Sequence, residues 1–175
     1  GSAASAIQLA PALARDGADV TLFQRTANYI NPRGNHAYSE ALRMQFRRFP
    51  WLMRAWRIFL HRRLDTIVYP IVRRAGGFGR FARGRVLKGM RARISDPDMQ
   101  AALTPPYALG CKRMLISDDF YPALEHGDVR LVASGVDRIG GRTVIASDGT
   151  QVEADILVFA TGYDVRDLVQ DTYRN

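Results

Sequence analysis

Small side chains crowd the start of this chain at a fixed spacing, Gly1-x-Ala3-x-x-Ala6, and a helical pattern follows at once. Ile7, Leu9, Ala10, Leu13 and Ala14 recur at three- and four-residue steps, which predicts a helix over residues 4–16 with one apolar face. Ser2 or Ser5 can cap its start and Gly17 can stop it. Pro11 lies inside the pattern, removes one ladder hydrogen bond and predicts a kink. Residues 18–24, ADVTLFQ, are rich in strand formers and predict a buried strand. A turn of small residues, a helix, a glycine stop and a strand restrict this end to an architecture of alternating strands and helices.

The far end predicts the same class. Residues 155–160, Asp-Ile-Leu-Val-Phe-Ala, form the continuous apolar run of a central parallel strand buried on both faces. Before it, residues 136–139, 143–146 and 150–153 predict an antiparallel meander, with Gly140-Gly141 and Asp148-Gly149 as tight turns. Residues 129–133 predict a strand, 114–117 a short strand, and 119–126 a helical turn capped by Asp118. Residues 27–35, with Pro32 and Gly34, predict a loop. From Tyr38 to about Ala102 the pattern is helical, with Phe46, Phe49, Leu52, Met53, Trp56, Phe59 and Leu60 at three- and four-residue steps. Pro50, Pro70 and the run Gly76-Gly77-Phe78-Gly79 predict breaks between three or four helices there.

Charge separates that middle stretch from its flanks. Residues 42–93 carry 15 basic side chains and one acidic one, Asp65, within a chain of 175 residues whose net charge is +8. Apolar residues are 47% and charged residues 24% of the chain, the balance of a folded domain rather than a disordered one. One cysteine, Cys111, excludes an internal disulfide framework, and with three scattered histidines it lacks any zinc-ligand spacing, so no metal site is expected. No apolar run reaches the roughly 20 residues of a membrane span, and no basic-then-apolar leader is seen. A reducing, cytoplasmic setting is the expectation. The opening residues, without an initiator Met or a preceding strand, and the polar ending Asp171-Thr172-Tyr173-Arg174-Asn175 predict a piece of a longer protein.

The small-residue turn is a variant of the dinucleotide-binding fingerprint. The first glycine permits the strand-to-helix bend, a small second position lets backbone approach a pyrophosphate, and a small third position lets helix and strand pack closely. Alanine at the second position departs from the pattern and should push the phosphate slightly outward. The helix start presents N–H groups and partial positive charge to the anion. Coenzyme choice is set at the end of the next strand, where an NAD site places a carboxylate for the ribose 2′-hydroxyl. Here that strand ends in Gln24-Arg25-Thr26. Arg25 can grip a 2′-phosphate with a charge-assisted fork and Thr26 can add a hydroxyl, so NADPH is the expected coenzyme.

Gly-Ser-Ala-Ala-Ser-Ala-Ile-Gln followed by Phe-Gln-Arg-Thr-Ala-Asn-Tyr resembles the NADPH-binding Rossmann module of flavin-containing monooxygenases. The likeness is strongest to the Baeyer–Villiger branch, because Gly110-Cys111-Lys112-Arg113 and the closing residues 155–163 follow in the same order and spacing. The resemblance implies an α/β, Rossmann-like three-layer NADP-binding domain with a helical insertion and a small antiparallel β-meander, incomplete at both ends. Residues 1–37 would start that domain, 38–104 form the basic helical insertion, 105–162 return with meander and closing strand, and 163–175 begin a linker to an FAD domain. It further implies that Gly1, Ser2, Ala3, Ala4, Ser5, Ala6 and Ile7 hold the NADP pyrophosphate with Gln8 close by. Arg25 and Thr26 would bind the 2′-phosphate and Lys112 would reinforce them. Arg113 would be the active-site arginine beside flavin and nicotinamide, and Ala160, Thr161 and Gly162 would mark the strand end.

The implied activity is the oxidation of ketones to esters or lactones with O2, NADPH and FAD. Oxygenation of soft nitrogen or sulfur is the alternative within the superfamily. The family's FAD fingerprint and its histidine-containing signature are not among these residues, so no turnover is expected from the piece alone. Every reactive species after oxygen capture is anionic, which suits a permanently charged donor such as Arg113. No nucleophilic triad is recognisable. Residues 42–93, with Trp51, Trp56, Phe59, Tyr69, Phe78 and Phe81 among the arginines, read first as a solvated helical face that steers an anionic cofactor. Peripheral contact with an anionic membrane ranks second. Nucleic-acid binding ranks last, although residues 76–84, GGFGRFARG, are similar to arginine–glycine RNA-binding segments.

Overall fold

The computed structural model describes residues 1–72 and 76–162. The linker expected at residues 163–175 lies outside the described residues. The helices are α1 (Ala6–Arg15), α2 (Glu40–Arg48), α3 (Pro50–Val72), α4 (Gly76–Arg91), α5 (Pro97–Ala102) and α6 (Phe120–Glu125). The strands are β1 (Val20–Phe23), β2 (Ile30–Asn31), β3 (Leu115–Ile116), β4 (Val129–Val132), β5 (Val136–Gly140), β6 (Thr143–Ala146) and β7 (Gln151–Glu153). Among the described residues they form two compact units, 1–28 with 119–162, and Tyr29–Asp118.

In the first unit β1 pairs with β4 in parallel, Val20 opposite Val129 through Phe23 opposite Val132. Parallel strands cannot be joined by a tight turn, so the chain must cross over, and α6 is the helix that leads into β4. α1 and α6 contact each other and the strands. Ala6, Ile7 and Ala10 from α1, Phe120, Ala123 and Leu124 from α6, and Leu22, Val129 and Val132 from the strands make a buried core. α1 continues through Pro11, which is itself buried. It ends as its sequence predicts: Gly17 takes φ +91°, the Gly17 N–H donates to Ala14 and the Ala18 N–H to Leu13. That paired bonding satisfies the last carbonyls of the helix and needs a residue tolerant of positive φ. Ser5 stands at the N-cap without a side-chain cap bond. Ser2 is buried, and the Asn28 Nδ2 amide donates to its carbonyl at 3.0 Å.

β5, β6 and β7 form the antiparallel meander, with Gly141 (φ +61°) and Gly149 (φ +88°) at its turns. Residues 155–160 depart from expectation. They carry no regular structure, and Ile156 and Phe159 are 80% and 74% exposed. A doubly buried strand exists only between partners, and among the described strands β1 and β4 pair with each other while β5 to β7 pair among themselves.

In the second unit the expected loop at 27–35 contains β2, which pairs in parallel with β3. Ser39 caps α2 by accepting from the Leu42 N–H, and Asp96 caps α5 ahead of Pro97. Pro50 opens α3, where a missing N–H costs nothing. Pro70 does not end that helix, which runs to Val72. The glycine run expected as a break instead lies within α4, so residues 76–84 are helical rather than extended. Tertiary packing overrides the low helix propensity of glycine here: Leu87 and Met90 of α4 are buried and α4 contacts β2. Asp118 is not the N-cap of α6; that position falls to Asp119. The Asp118 Oδ1 instead accepts from the Arg33 N–H at 2.8 Å and the Gly34 N–H at 3.2 Å.

Two outcomes test this architecture. Asn28→Ala removes a part-buried amide bond to Ser2 and should lower stability by about 1 kcal/mol, read as a lower urea midpoint at unchanged slope. The Gly34 N–H, followed by those of Arg33 and Asn35, holds the Asp118 carboxyl below its ordinary range. A group lowered in the folded state gives its full tether above the ordinary value and loses it as pH falls through the lowered one. Hydrogen-exchange protection of the Gly34 amide should therefore fall on acidification below about pH 4 and be low at every pH in Asp118→Ala.

Candidate functional site

The first unit gathers the small-residue turn and the end of β1. Ala6 and Ile7 are buried against the core, which leaves Ala3, Ala4, Ser5 and Gln8 exposed at the head of α1. The Ile7 N–H donates to Ala3 and the Leu9 N–H to Ser5, so the backbone is already helical at the turn. Earlier N–H groups in that turn have no carbonyl one turn back, the arrangement that leaves donors at the head of a helix. A Cβ placed on Gly1 meets nothing within 4 Å, so backbone here is open to approach.

Arg25 lies two residues past β1 and is exposed. Gly135, three residues past the end of β4 at Val132, supports the arginine. A Cβ on Gly135 would lie 3.6 Å from Cβ, Cγ and Cδ of Arg25, so the aliphatic stem runs over bare backbone. Sequence reading passed over Gly135, because its partner lies far away in the chain. It also assigned no role to Asn28, which ties the end of the Arg25–Thr26 segment back to Ser2. Thr26 is half-buried.

Lys112 and Arg113 lie in the second unit, on an exposed loop after Gly110 (φ +94°). The Cys111 N–H donates to Ala108 at 3.1 Å. The Lys112 ammonium rests 4.7 Å from the centroid of the Tyr107 ring, a cation–π contact. Burial, then Tyr29 and Cys111 beside it, push the Tyr107 phenol up, so this ring stays neutral under the ammonium. Ala160 is half-buried, Thr161 and Gly162 are exposed, and all three continue the irregular segment rather than ending a strand. The basic side chains of 42–93 are mostly exposed, as are Trp51, Phe59 and Phe81, and no helix among the described residues is long and apolar enough to cross a membrane.

Backbone N–H groups at a helix head and an exposed arginine are donors of the kind a phosphate group takes, and no carboxylate follows β1 closely.

No protein-family model matches the chain. It is 39% identical over 168 residues to a Baeyer–Villiger monooxygenase of Streptomyces coelicolor, covering 96% of this chain and 32% of that protein. It is 32% identical over 167 residues to a Baeyer–Villiger monooxygenase of Pseudomonas aeruginosa, covering 95% and 32% respectively. The crystal structure of OTEMO in complex with FAD and NADP superposes with a TM-score of 0.70 at 20% identity, over 94% of this chain and 37% of that one. The chain thus spans about a third of the length of the relatives it matches. Along nearly all of its own length it is similar to one stretch of the Baeyer–Villiger-like flavin monooxygenases, and its fold is their Rossmann-like one.

Proposed function

We propose that this chain is the NADPH-binding portion of an FAD-dependent monooxygenase that converts ketones to esters or lactones. One observation carries the coenzyme part of this reading: Arg25, just past the end of β1, has its stem laid along Gly135, while Asn28 ties the same segment back to Ser2 of the small-residue turn. The names of the Streptomyces and Pseudomonas relatives support the reaction class. The Lys112-Arg113 pair favours the ketone reaction over oxygenation of nitrogen or sulfur, through the branch resemblance of its block.

In this reading residues 1–8 receive the pyrophosphate through backbone N–H groups at the head of α1. Arg25 supplies a two-pronged, permanently charged donor for the 2′-phosphate, and Thr26 adds a hydroxyl. Lys112 contributes a point charge for the nucleotide. When bound, NADPH supplies hydride and FAD supplies the activation of O2. Arg113 stabilises the negative charge that develops on oxygen, a task for a guanidinium that keeps its proton at any working pH.

Two substitutions in the full-length, FAD-loaded protein carrying this chain test the reading. Arg25→Gln should raise KM for NADPH roughly 10- to 100-fold, the loss of a charged hydrogen-bonding partner, and change KM for NADH by less than about threefold. A preference for NADH in the unsubstituted protein, or an unchanged preference in Arg25→Gln, would overturn it. Arg113→Ala should lower the oxygenation rate about 10²- to 10³-fold, with partial recovery in Arg113→Lys. A rate close to the original removes Arg113 from the chemistry.

A further inference from the structure

In the second unit, α3 does not divide into one apolar side and one polar side. Six of its large apolar side chains, Trp51, Met53, Ile58, Phe59, Leu64 and Tyr69, are 52% to 63% exposed. Trp51, Ile58 and Tyr69 fall on one line along the helix, because their spacings are close to whole turns of about 3.6 residues. Met53 and Leu64 share a second line. Met53 is two residues from Trp51, so this second line runs along nearly the opposite side. Within the unit α3 packs on α2 and α4. The Trp56 Nε1–H donates to the Tyr38 hydroxyl at 3.3 Å, and the Tyr38 ring meets Phe46 edge-on at 5.7 Å. Trp56 also stacks on Phe59 with centroids 5.5 Å apart. These contacts hold the helix in place and leave both apolar lines open.

Apolar side chains on more than one side are the pattern of a helix covered by other groups, not of a solvated one. A lipid surface is flat and takes one side of a helix, with the cations gathered on the other. Here Arg54, Arg57, Arg62 and Arg63 are spread round the axis among the apolar residues, so no single lipid plane suits α3. A protein surface can wrap two sides. Charge adds a second requirement. Among the described residues no carboxylate pairs with these four arginines, and the ion pair within α3 joins His61 to Asp65 at 3.5 Å. The surface that fits is therefore apolar with acidic side chains among it. Length supplies its source, since the relatives are about three times as long as this chain.

We propose that α3 is the surface on which the FAD-binding portion of the full-length chain docks, meeting Trp51, Ile58 and Met53 with apolar side chains and the arginines with carboxylates. The inference rests on the reading of this chain as part of an FAD-dependent monooxygenase. It gives the basic helices a task other than steering an anionic cofactor: they hold a second portion of the same enzyme.

The test uses the full-length, FAD-loaded protein in dilute solution without lipid. Hydroxyl-radical footprinting, read residue by residue, should show Trp51, Met53 and Phe59 shielded several-fold relative to the same protein unfolded in guanidinium. That is more than the halving their exposure within this chain allows. Trp51→Ala and Ile58→Ala leave α3 a good helix former and remove docking contacts, so each should speed FAD loss about 5- to 30-fold. Halved reactivity and no more at Trp51 and Met53, or unchanged FAD loss in both variants, would overturn the proposal. Two other results would do the same. Shielding that appears only with vesicles of anionic phosphatidylglycerol assigns the face to a membrane. Shielding that vanishes on dilution along with a dimer mass assigns it to a second copy. A full-length protein that holds no FAD removes the reading beneath the inference, whereas one that holds FAD with Trp51 open removes the docking alone.

Discussion

The parallel pairing of β1 with β4 is the constraint on which the first unit depends. Parallel neighbours require a crossover, and the crossover brings α6 against α1 and buries one face of each helix on the strand pair. The same pairing makes the ends of β1 and β4 neighbours. Arg25 leaves the end of one strand and Gly135 follows the end of the other, so the arginine stem can lie on glycine backbone. The head of α1 points to the same end, with its small residues and open backbone. The corner proposed to take the phosphate is therefore a product of topology, and the side chains refine it.

Much of this corner is legible in the sequence because its signals are local. The apolar steps from Ile7 to Ala14 define α1, and Gly17 stops it with the bonding pattern its position suggests. The strand formers of 18–24 give β1, and the glycine turns give the meander. Gly76 to Gly79 show the opposite case. Local propensity argues for a break, while the buried Leu87 and Met90 further along α4 anchor a helix that extends back over those glycines. Asp118 is a second instance. Next to a helix start it looks like a cap, yet the loop at Arg33 and Gly34 offers it two backbone donors from far away in the chain. Residues 155–160 carry the composition of a central strand, but strand identity is a property of pairs, and composition supplies only one member.

The candidate site divides along the same line. Arg25, Thr26 and the small-residue turn are visible as residue types at a recognisable spacing. Asn28 and Gly135 are not, because each acts through a partner many positions distant and neither is chemically unusual where it stands. In the second unit Arg83 shows the same limit, one of 15 basic residues in a stretch where its neighbours Arg80 and Arg85 face solvent. Only its bonds to Tyr29 and Pro105 separate it from them.

Gly135 has a consequence for how such a protein changes over generations. A flat patch of main chain under an aliphatic stem acts as a rail, fixing the line along which the cation can extend. A methyl at that position would meet the stem at 3.6 Å, an ordinary contact that closes the gap without moving it, whereas a larger side chain would have to push the stem aside. Under the coenzyme reading proposed above, the reach of the cation is then adjustable from a residue with no charge and no polar side chain.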